Sequence, residues 1–446
     1  MQATHRRNRE LSLLVMALIL GAGAVALVAA AQNDGDIGEA TPYILLITLF
    51  YVVAHFAVRK LAPQADPLVL PLAATLNTIR VATVFRLDGR SGVPEGVGAA
   101  QVTWTLLGLG LFVATVFFIK DFRSLARYKY ILGFTGVGLL LLPMTPLGAT
   151  INGARLWVAV GPLSFQPGEL AKVCLVIFFA AYLAERKELL AIASKRVAGI
   201  HLPDVKHFGP LVVMWSLSLA VMFFEKDLGS SLLFFSIFLT MLYMATARFV
   251  YVALGGALFA IGSYAGYKIF VHVQDRVQVW LDVFDPKYIQ DEGFQLAQSL
   301  FALAQGGLFG TGLGRGRPDV IPAAHTDFIF SAVGEELGLL GTSAVLLCFM
   351  LMVARGLRIS LQTKDDFGKL LGAGLITIFG LQTIIILGGV TRLMPLTGIT
   401  LPFMSYGGSS LLSNFILIGL LIRISHDTAS RPDPAMTGEI LIGGRA

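Results

Sequence analysis

Apolar runs about as long as a bilayer is thick alternate with short polar segments from one end of the chain to the other. A helix needs roughly 18 to 20 apolar residues to cross about 30 Å of hydrocarbon, and it satisfies its own backbone hydrogen bonds as it does so. Stretches near that length occur at 11–31, 43–58, 68–85, 102–119, 130–146, 170–183, 208–224, 231–247, 250–269, 328–354, 370–390 and 409–424. The pattern therefore predicts an all-α polytopic membrane bundle of about twelve transmembrane helices. The sixth stretch is short and follows the polar Gln166-Pro167-Gly168-Glu169, which suits a segment that begins inside a cavity or re-entrant region.

Composition strengthens this reading. Hydrophobic residues make up 55% of the 446 positions and charged ones 14%. Mean hydropathy is +0.75. A soluble core could not use that much apolar surface, so a water-soluble enzyme with a single anchor is excluded. Basic residues mark the cytoplasmic side: Arg6, Arg7 and Arg9, then 120–129, 186–206 and 355–369. The loops between them, including Asp34 and Asp36 and the long stretch 271–326, then face outward, with both termini inside. The net charge of +6 lies mainly in loops that meet anionic headgroups, and nucleic acid is not an expected partner. Cys174 and Cys348 both fall within apolar stretches, so no disulfide framework or thiolate metal site is expected. Arg6-Arg7 before the first stretch and Ala29-Ala30-Ala31 after it imitate a signal peptide, but the apolar run is too long, and a retained helix is expected. The chain divides into 1–66 with two helices, a core at 67–426, and a disordered cytoplasmic tail at 427–446.

Charge inside lipid is costly, so such residues tend to line a cavity or pair with each other. Glu169 and Lys172 lie three apart, on one helix face. Glu225, Lys226 and Asp227 close the seventh stretch, and Glu335 and Glu336 lie inside the tenth. Arg155 and Asp327 fall on the same outward side as the first two groups, which points to one shared polar cavity. In the outer loop, Arg276 is followed by Asp282, Asp285, Asp291 and Glu292, then by an amphipathic run to Ala304. The glycine-rich segment 306–317, with Arg315 and Arg317, could offer amides and guanidinium groups to a phosphate, or could be a turn that lets helices approach. It lacks the Gly-Lys-Ser/Thr ending of a Walker loop. His272 and His325 have too few companions for a metal site and suit hydrogen bonding.

In these residues the chain resembles the SEDS family (shape, elongation, division and sporulation) of RodA/FtsW type. The matching blocks are Asn152-Gly153-Ala154-Arg155-Leu156-Trp157, Phe165 to Lys172, Glu225-Lys226-Asp227-Leu228-Gly229, Gly293-Phe294-Gln295 through Ser299, His325-Thr326-Asp327 with Glu335-Glu336-Leu337-Gly338, and Pro395 to Ser410. They span about 68–424, the family's ten-helix core, and the two further N-terminal helices look like those of actinobacterial members. The resemblance implies a peptidoglycan glycosyltransferase that polymerises lipid II outside the cytoplasmic membrane of a bacterium, in elongation or division. It also implies undecaprenyl-pyrophosphate-linked glycan as donor and a class B penicillin-binding protein as partner.

The implied chemistry is an inverting transfer. One carboxylate takes the acceptor proton, and cations hold the pyrophosphate leaving group. Counting back from Gly293-Phe294-Gln295 favours Asp291 as that base, whereas matching Asp285-Pro286 to the family's Asp-Pro favours Asp285. Carried over in the same way, Glu169, Lys172, Asp227, Arg155, Arg276, Arg315, His325 and Asp327 are the substrate-binding or cavity residues, and a divalent cation, Mg or Mn, could add positive charge. A precursor flippase or other transporter would also need a polar cavity within a bundle. A noncatalytic scaffold for the penicillin-binding protein is the third reading.

Overall fold

A computed structural model describes residues 2–32, 35–90, 93–151, 154–160, 163–191, 195–197, 200–202, 205–225 and 227–430. Asn152, Gly153 and Lys226 of the sequence blocks, Asp34 of the first loop and the tail from 431 onward lie outside the described residues.

The helices are α1 (Gln2–Gln32), α2 (Thr41–Leu61), α3 (Val69–Leu87), α4 (Val97–Phe118), α5 (Lys129–Leu141), α6 (Pro167–Ala191), α7 (Val205–Phe224), α8 (Leu228–Thr246), α9 (Phe249–Ile269), α10 (Val271–Leu281), α11 (Phe294–Gly306), α12 (Ile329–Gln362), α13 (Asp366–Val390) and α14 (Gly408–Ser430). Each apolar stretch of the sequence is one of these, and α10 and α11 are additional helices within the loop 271–326. Among the described residues, ten helices are long and apolar enough to cross a membrane. The two expected spans outside that set are α3, which carries Arg80 and Arg86, and α7, whose apolar part is the shorter Gly209–Met222. The last helix runs to Ser430, so residues 427–430 are its final turn rather than tail.

A small antiparallel sheet, β1 (Gly148–Ile151), β2 (Ala154–Val160) and β3 (Leu163–Phe165), leads into α6. Trp157 pairs with Ala149 and Val158 with Phe165, so the chain doubles back twice before the polar head of α6. A second short pair, β4 (Lys195–Val197) and β5 (Ile200–Leu202), follows α6.

Burial sorts the helices into two layers. The apolar windows of α14, α6 and α13 are 89%, 78% and 78% buried, which makes them the central pillar, whereas that of α9 is 11% buried and faces lipid on nearly every side. In the pillar α4 packs on α14 and α13 on α6, and α12 covers α13. Close approach without a hydrophobic driving force depends on small residues. A Cβ on Gly108 of α4 would lie 2.3 Å from the Phe415 ring of α14.

Buried polar groups bind the first two helices to this core. Arg7 pairs with Glu10 and donates to the Ala65 carbonyl, and His55 Nδ1 lies 2.7 Å from Glu10 Oε1. Asp66, just beyond, pairs with Arg355 of α12, and its backbone N–H donates to Ser425 Oγ of α14 at 2.9 Å. The two N-terminal helices are thus built into the same body as the core.

Candidate functional site

Pro167 opens α6, a position where a missing N–H costs nothing, and Glu169 stands in the first turn, where the helix dipole favours a carboxylate. Lys172 follows one turn on. Its Nζ lies 2.8 Å from Glu169 Oε2, with both side chains buried. The ammonium also donates to Gln382 Oε1 at 3.1 Å. Gln382 Nε2 in turn donates to the Thr400 carbonyl at 2.8 Å, and Thr400 Oγ1 donates to Ser410 Oγ at 2.8 Å. Ser413 Oγ donates to the Glu169 carbonyl and Ser409 Oγ accepts from the Gln166 N–H, so α14 holds the head of α6 from the other side.

Beside this pair, Asp227 caps α8 by accepting from the Ser230 N–H at 2.9 Å. Burial pushes the Asp227 carboxyl up, while the Ser230 bonds pull against it. Glu225 is pushed up to about 8, first by burial and then by the neighbouring Asp227. Glu169, Lys172, Glu225 and Asp227 line one cavity of about 10 Å³ with Gln166, Leu140 and Leu156, which is room for about one water.

A larger cavity of about 590 Å³ lies under the outer loop and is lined by His272, Asp275, Arg276 and Trp280 of α10, by Gln290, Asp291, Glu292 and Gln295, and by Pro322 and Leu396. Arg276 Nη1 donates to the Leu396 carbonyl at 3.3 Å. Trp280 Nε1 donates to the Arg392 carbonyl at 3.2 Å, and Arg392 Nε donates back to the Trp280 carbonyl at 2.9 Å. These bonds fix α10 against the segment after α13. Asp291 is exposed to the cavity; Asp285 sits at the start of the same turn, where Oδ1 accepts from the Lys287 N–H at 2.9 Å and its carbonyl accepts from Tyr288 N–H.

The segment 391–407 lines the larger cavity through Leu396 and is linked to the smaller one through Gln382, which holds Lys172. Its Leu396 carbonyl holds Arg276 and its Thr400 holds Gln382 beside Lys172, while Tyr406 N–H donates to the His325 carbonyl at 2.7 Å. Its Gly407 carbonyl accepts from Arg80 Nη2 at 3.3 Å. Asp327 lies under Gly398; burial pushes its carboxyl up to about 6, with Arg276 opposing. Burial also lowers His325, whose Nδ1 meets no partner among the described residues and whose ring lies 5.6 Å from Tyr406.

The expected site residues thus fall into groups. Glu169, Lys172 and Asp227 share one cavity, and Arg276 and Asp291 share the other, with Asp327 and His325 behind the bridging segment. Arg155 is not among them. It is exposed on β2 and donates from Nη2 to the Thr145 carbonyl at 2.9 Å, bracing the turn before the sheet. Arg315 is exposed and lines neither cavity.

The glycine-rich segment proves to be a packing device. The Thr311 and Gly312 amides donate to the Glu335 and Glu336 carbonyls at 2.9 and 3.0 Å, and the Leu339 amide donates to Gly307 at 2.9 Å. The turn is inserted into a break in α12 at Gly338, whose φ of +65° and ψ of −165° are not helical. Those amides are spent on backbone and are not open to phosphate. Glu336 pairs with Arg86 of α3 at 3.0 Å, and Glu335 Oε1 accepts from the Arg317 N–H at 2.6 Å. Both carboxylates anchor the turn.

Several site residues escaped sequence reasoning. Gln382 is uncharged and left no mark on the hydropathy pattern, while Thr400, Ser409 and Ser410 lie in the matching block Pro395 to Ser410 but carried no signal there of a place in the site. Arg80 and Arg86 did leave a signal, as guanidinium groups inside an apolar stretch. Among the described residues, no group of three His, Cys, Asp or Glu side chains is placed to hold a metal ion, and no step below passes through one.

The fold and site define a polytopic membrane protein with a charged cavity between its bundle and a helical loop. Residues 68–430 match the model of the cell cycle protein family that groups FtsW, RodA and SpoVE. The chain is similar to peptidoglycan glycosyltransferase RodA of Mycobacterium tuberculosis, at 47% identity over 436 residues that cover 96% of this chain and 92% of that one. A probable peptidoglycan glycosyltransferase FtsW of Geobacter metallireducens is 35% identical over 309 residues, 68% of this chain and 79% of its own. A chain in a peptidoglycan synthase complex shares the fold with a TM-score of 0.59 at 22% identity, covering 87% of this chain and 98% of that one. A Thermus thermophilus RodA variant does so with a TM-score of 0.54 at 22% identity, covering 82% and 99%. The chain belongs to the FtsW/RodA/SpoVE cell cycle protein family, and it is a multi-pass protein of the cytoplasmic membrane.

Proposed function

We propose that this chain is a peptidoglycan glycosyltransferase that extends glycan strands from lipid II at the outer face of the membrane, with a class B penicillin-binding protein as its partner. Peptidoglycan glycosyltransfer is the activity named for its relatives at 47% identity. The single observation that carries the detailed reading is the cavity of about 590 Å³ that sets Asp291 and Arg276 on one wall system beneath the outer loop. It has room for a sugar, a carboxylate open to solvent, and a cation.

In the reaction the 4-hydroxyl oxygen of the acceptor sugar forms a bond to the anomeric carbon of the donor. The bond from that carbon to the pyrophosphate oxygen breaks, and undecaprenyl pyrophosphate leaves with the electron pair. The hydroxyl proton passes to a loop aspartate. Asp291 suits this by its place in the cavity, and Asp285 by its Asp-Pro likeness at the other end of the same turn. Arg276, held to the Leu396 carbonyl, can meet developing negative charge without reorganising. Lys172 is already oriented by Glu169 and Gln382 and can attract the second phosphate. Purified protein given labelled lipid II should form polymer. Movement of lipid across vesicles without new glycosidic bonds would favour a transporter instead.

A further inference from the structure

Glu225 lines the α6–α8 cavity, and the chemistry above gives it no part. It follows the last residue of α7, is 7% exposed, and faces the cavity that Glu169, Lys172 and Asp227 line. Glu169 is bound by Lys172 and Asp227 is bound by its cap, but among the described residues Glu225 Oε1 meets no hydrogen-bond partner. A buried oxygen left in that state is costly, and more so when charged, unless something from outside completes it.

We infer that Glu225 is a substrate-binding residue that stays protonated and donates a hydrogen bond to one oxygen of the lipid-linked pyrophosphate, across the cavity from Lys172; this rests on the glycosyltransferase reading above. The cavity's size admits a single oxygen-sized group and not a sugar ring. Among the described residues, the charged groups that face Glu225 are Glu169 and Lys172 from α6 and Asp227 from the head of α8, while α5 and β2 bring Leu140 and Leu156. Lys172 is matched by Glu169. An ionised Glu225 would therefore stand beside Asp227 as a second unmatched carboxylate and repel an anion, whereas the neutral form offers it a donor. Burial and Asp227, which push Glu225 up to about 8, keep that form in place at neutral pH.

The test is polymerisation of labelled lipid II by the purified full chain from pH about 6.5 to about 9.5. The wild type should lose kcat/KM about tenfold per pH unit above about 8, and Glu225→Gln, a neutral donor of the same shape, should hold its rate across that range. A Gln variant that keeps the wild-type alkaline limb, or a folded one that is inactive throughout, overturns the inference. Equilibrium binding of undecaprenyl pyrophosphate to the wild type over the same range provides a second arm that needs no variant. Affinity should weaken on the same limb, and pH-independent binding overturns the role of Glu225. A wild type that makes no polymer at any pH defeats the polymerase reading, while the binding arm still decides Glu225.

Discussion

Lys172 Nζ and Glu169 Oε2 stand 2.8 Å apart on successive turns of α6, and the same ammonium reaches Gln382 on α13. Removing one member of a buried pair leaves an uncompensated charge and costs about 3–5 kcal/mol. Glu169→Ala and Lys172→Ala should each lower the thermal midpoint in detergent and stop polymerisation. The double substitution Glu169→Gln with Lys172→Met should be more stable than either single alanine variant. Wild-type stability in both single variants would reject the pairing.

Gly338 breaks α12 so that the glycine-rich turn can enter it. Its φ is +65°, and a Cβ there would lie 2.3 Å from the Gly310 nitrogen. Gly338→Ala should therefore cost at least about 1–3 kcal/mol, read as a lower thermal midpoint. Gly256→Ala on the lipid-facing α9 meets nothing within 4 Å and serves as the control that should leave the midpoint unchanged.

Asp327 gives a pH dependence of definite sign. Its folded carboxyl is raised to about 6 from an ordinary 3.8, so the native state binds the proton more tightly than the unfolded chain. The stability this contributes is fully present below pH 3.8 and is lost as pH rises to about 6, by about 3 kcal/mol at most. Asp327→Asn lacks this term. The thermal midpoint of the variant minus that of the wild type should therefore grow between those pH values and level off above them. A pH-independent difference would show that Asp327 is not shifted.

The helices were legible because each must span the bilayer with apolar residues alone, and span length survives in any single sequence. The Glu169–Lys172 pair was legible because its spacing places both on one helix face. The Arg86–Glu336 pair joins positions 250 residues apart, so neither residue announces the other. Glu335 and Glu336 stood out as charges inside an apolar stretch, but for that same reason the sequence did not show that they anchor a turn. The glycine-rich segment was open to two readings, because only tertiary contact shows that the Thr311 and Gly312 amides are spent on α12. Arg155 matched its sequence block yet braces the Thr145 turn, since a motif records which residues occur together and not where a side chain points.

The basic-loop bias makes an independent prediction about orientation. A cysteine placed at the exposed Gln290 on the wall of the large cavity should react with a membrane-impermeant maleimide applied from outside intact cells. One at the exposed Lys187, where Lys187 pairs with Asp366 at the other end, should react only after the membrane is opened. The reverse pattern would invert the topology and remove the loop from the outer face.

The central claim is that a loop aspartate at the large cavity takes the proton from the acceptor hydroxyl, and the measurement that tests it most directly is the rate of glycan formation from labelled lipid II by purified wild type, Asp291→Asn and Asp285→Asn. Asparagine keeps size and hydrogen bonding but cannot serve as base, so the substitution at the base should cost about 10²- to 10⁴-fold in kcat while folding and lipid II binding persist. The account expects that loss in one of the two variants. Loss in Asp291→Asn would assign the base to the cavity wall, and loss in Asp285→Asn would assign it to the Asp-Pro end of the turn. Wild-type rates in both variants would contradict the account.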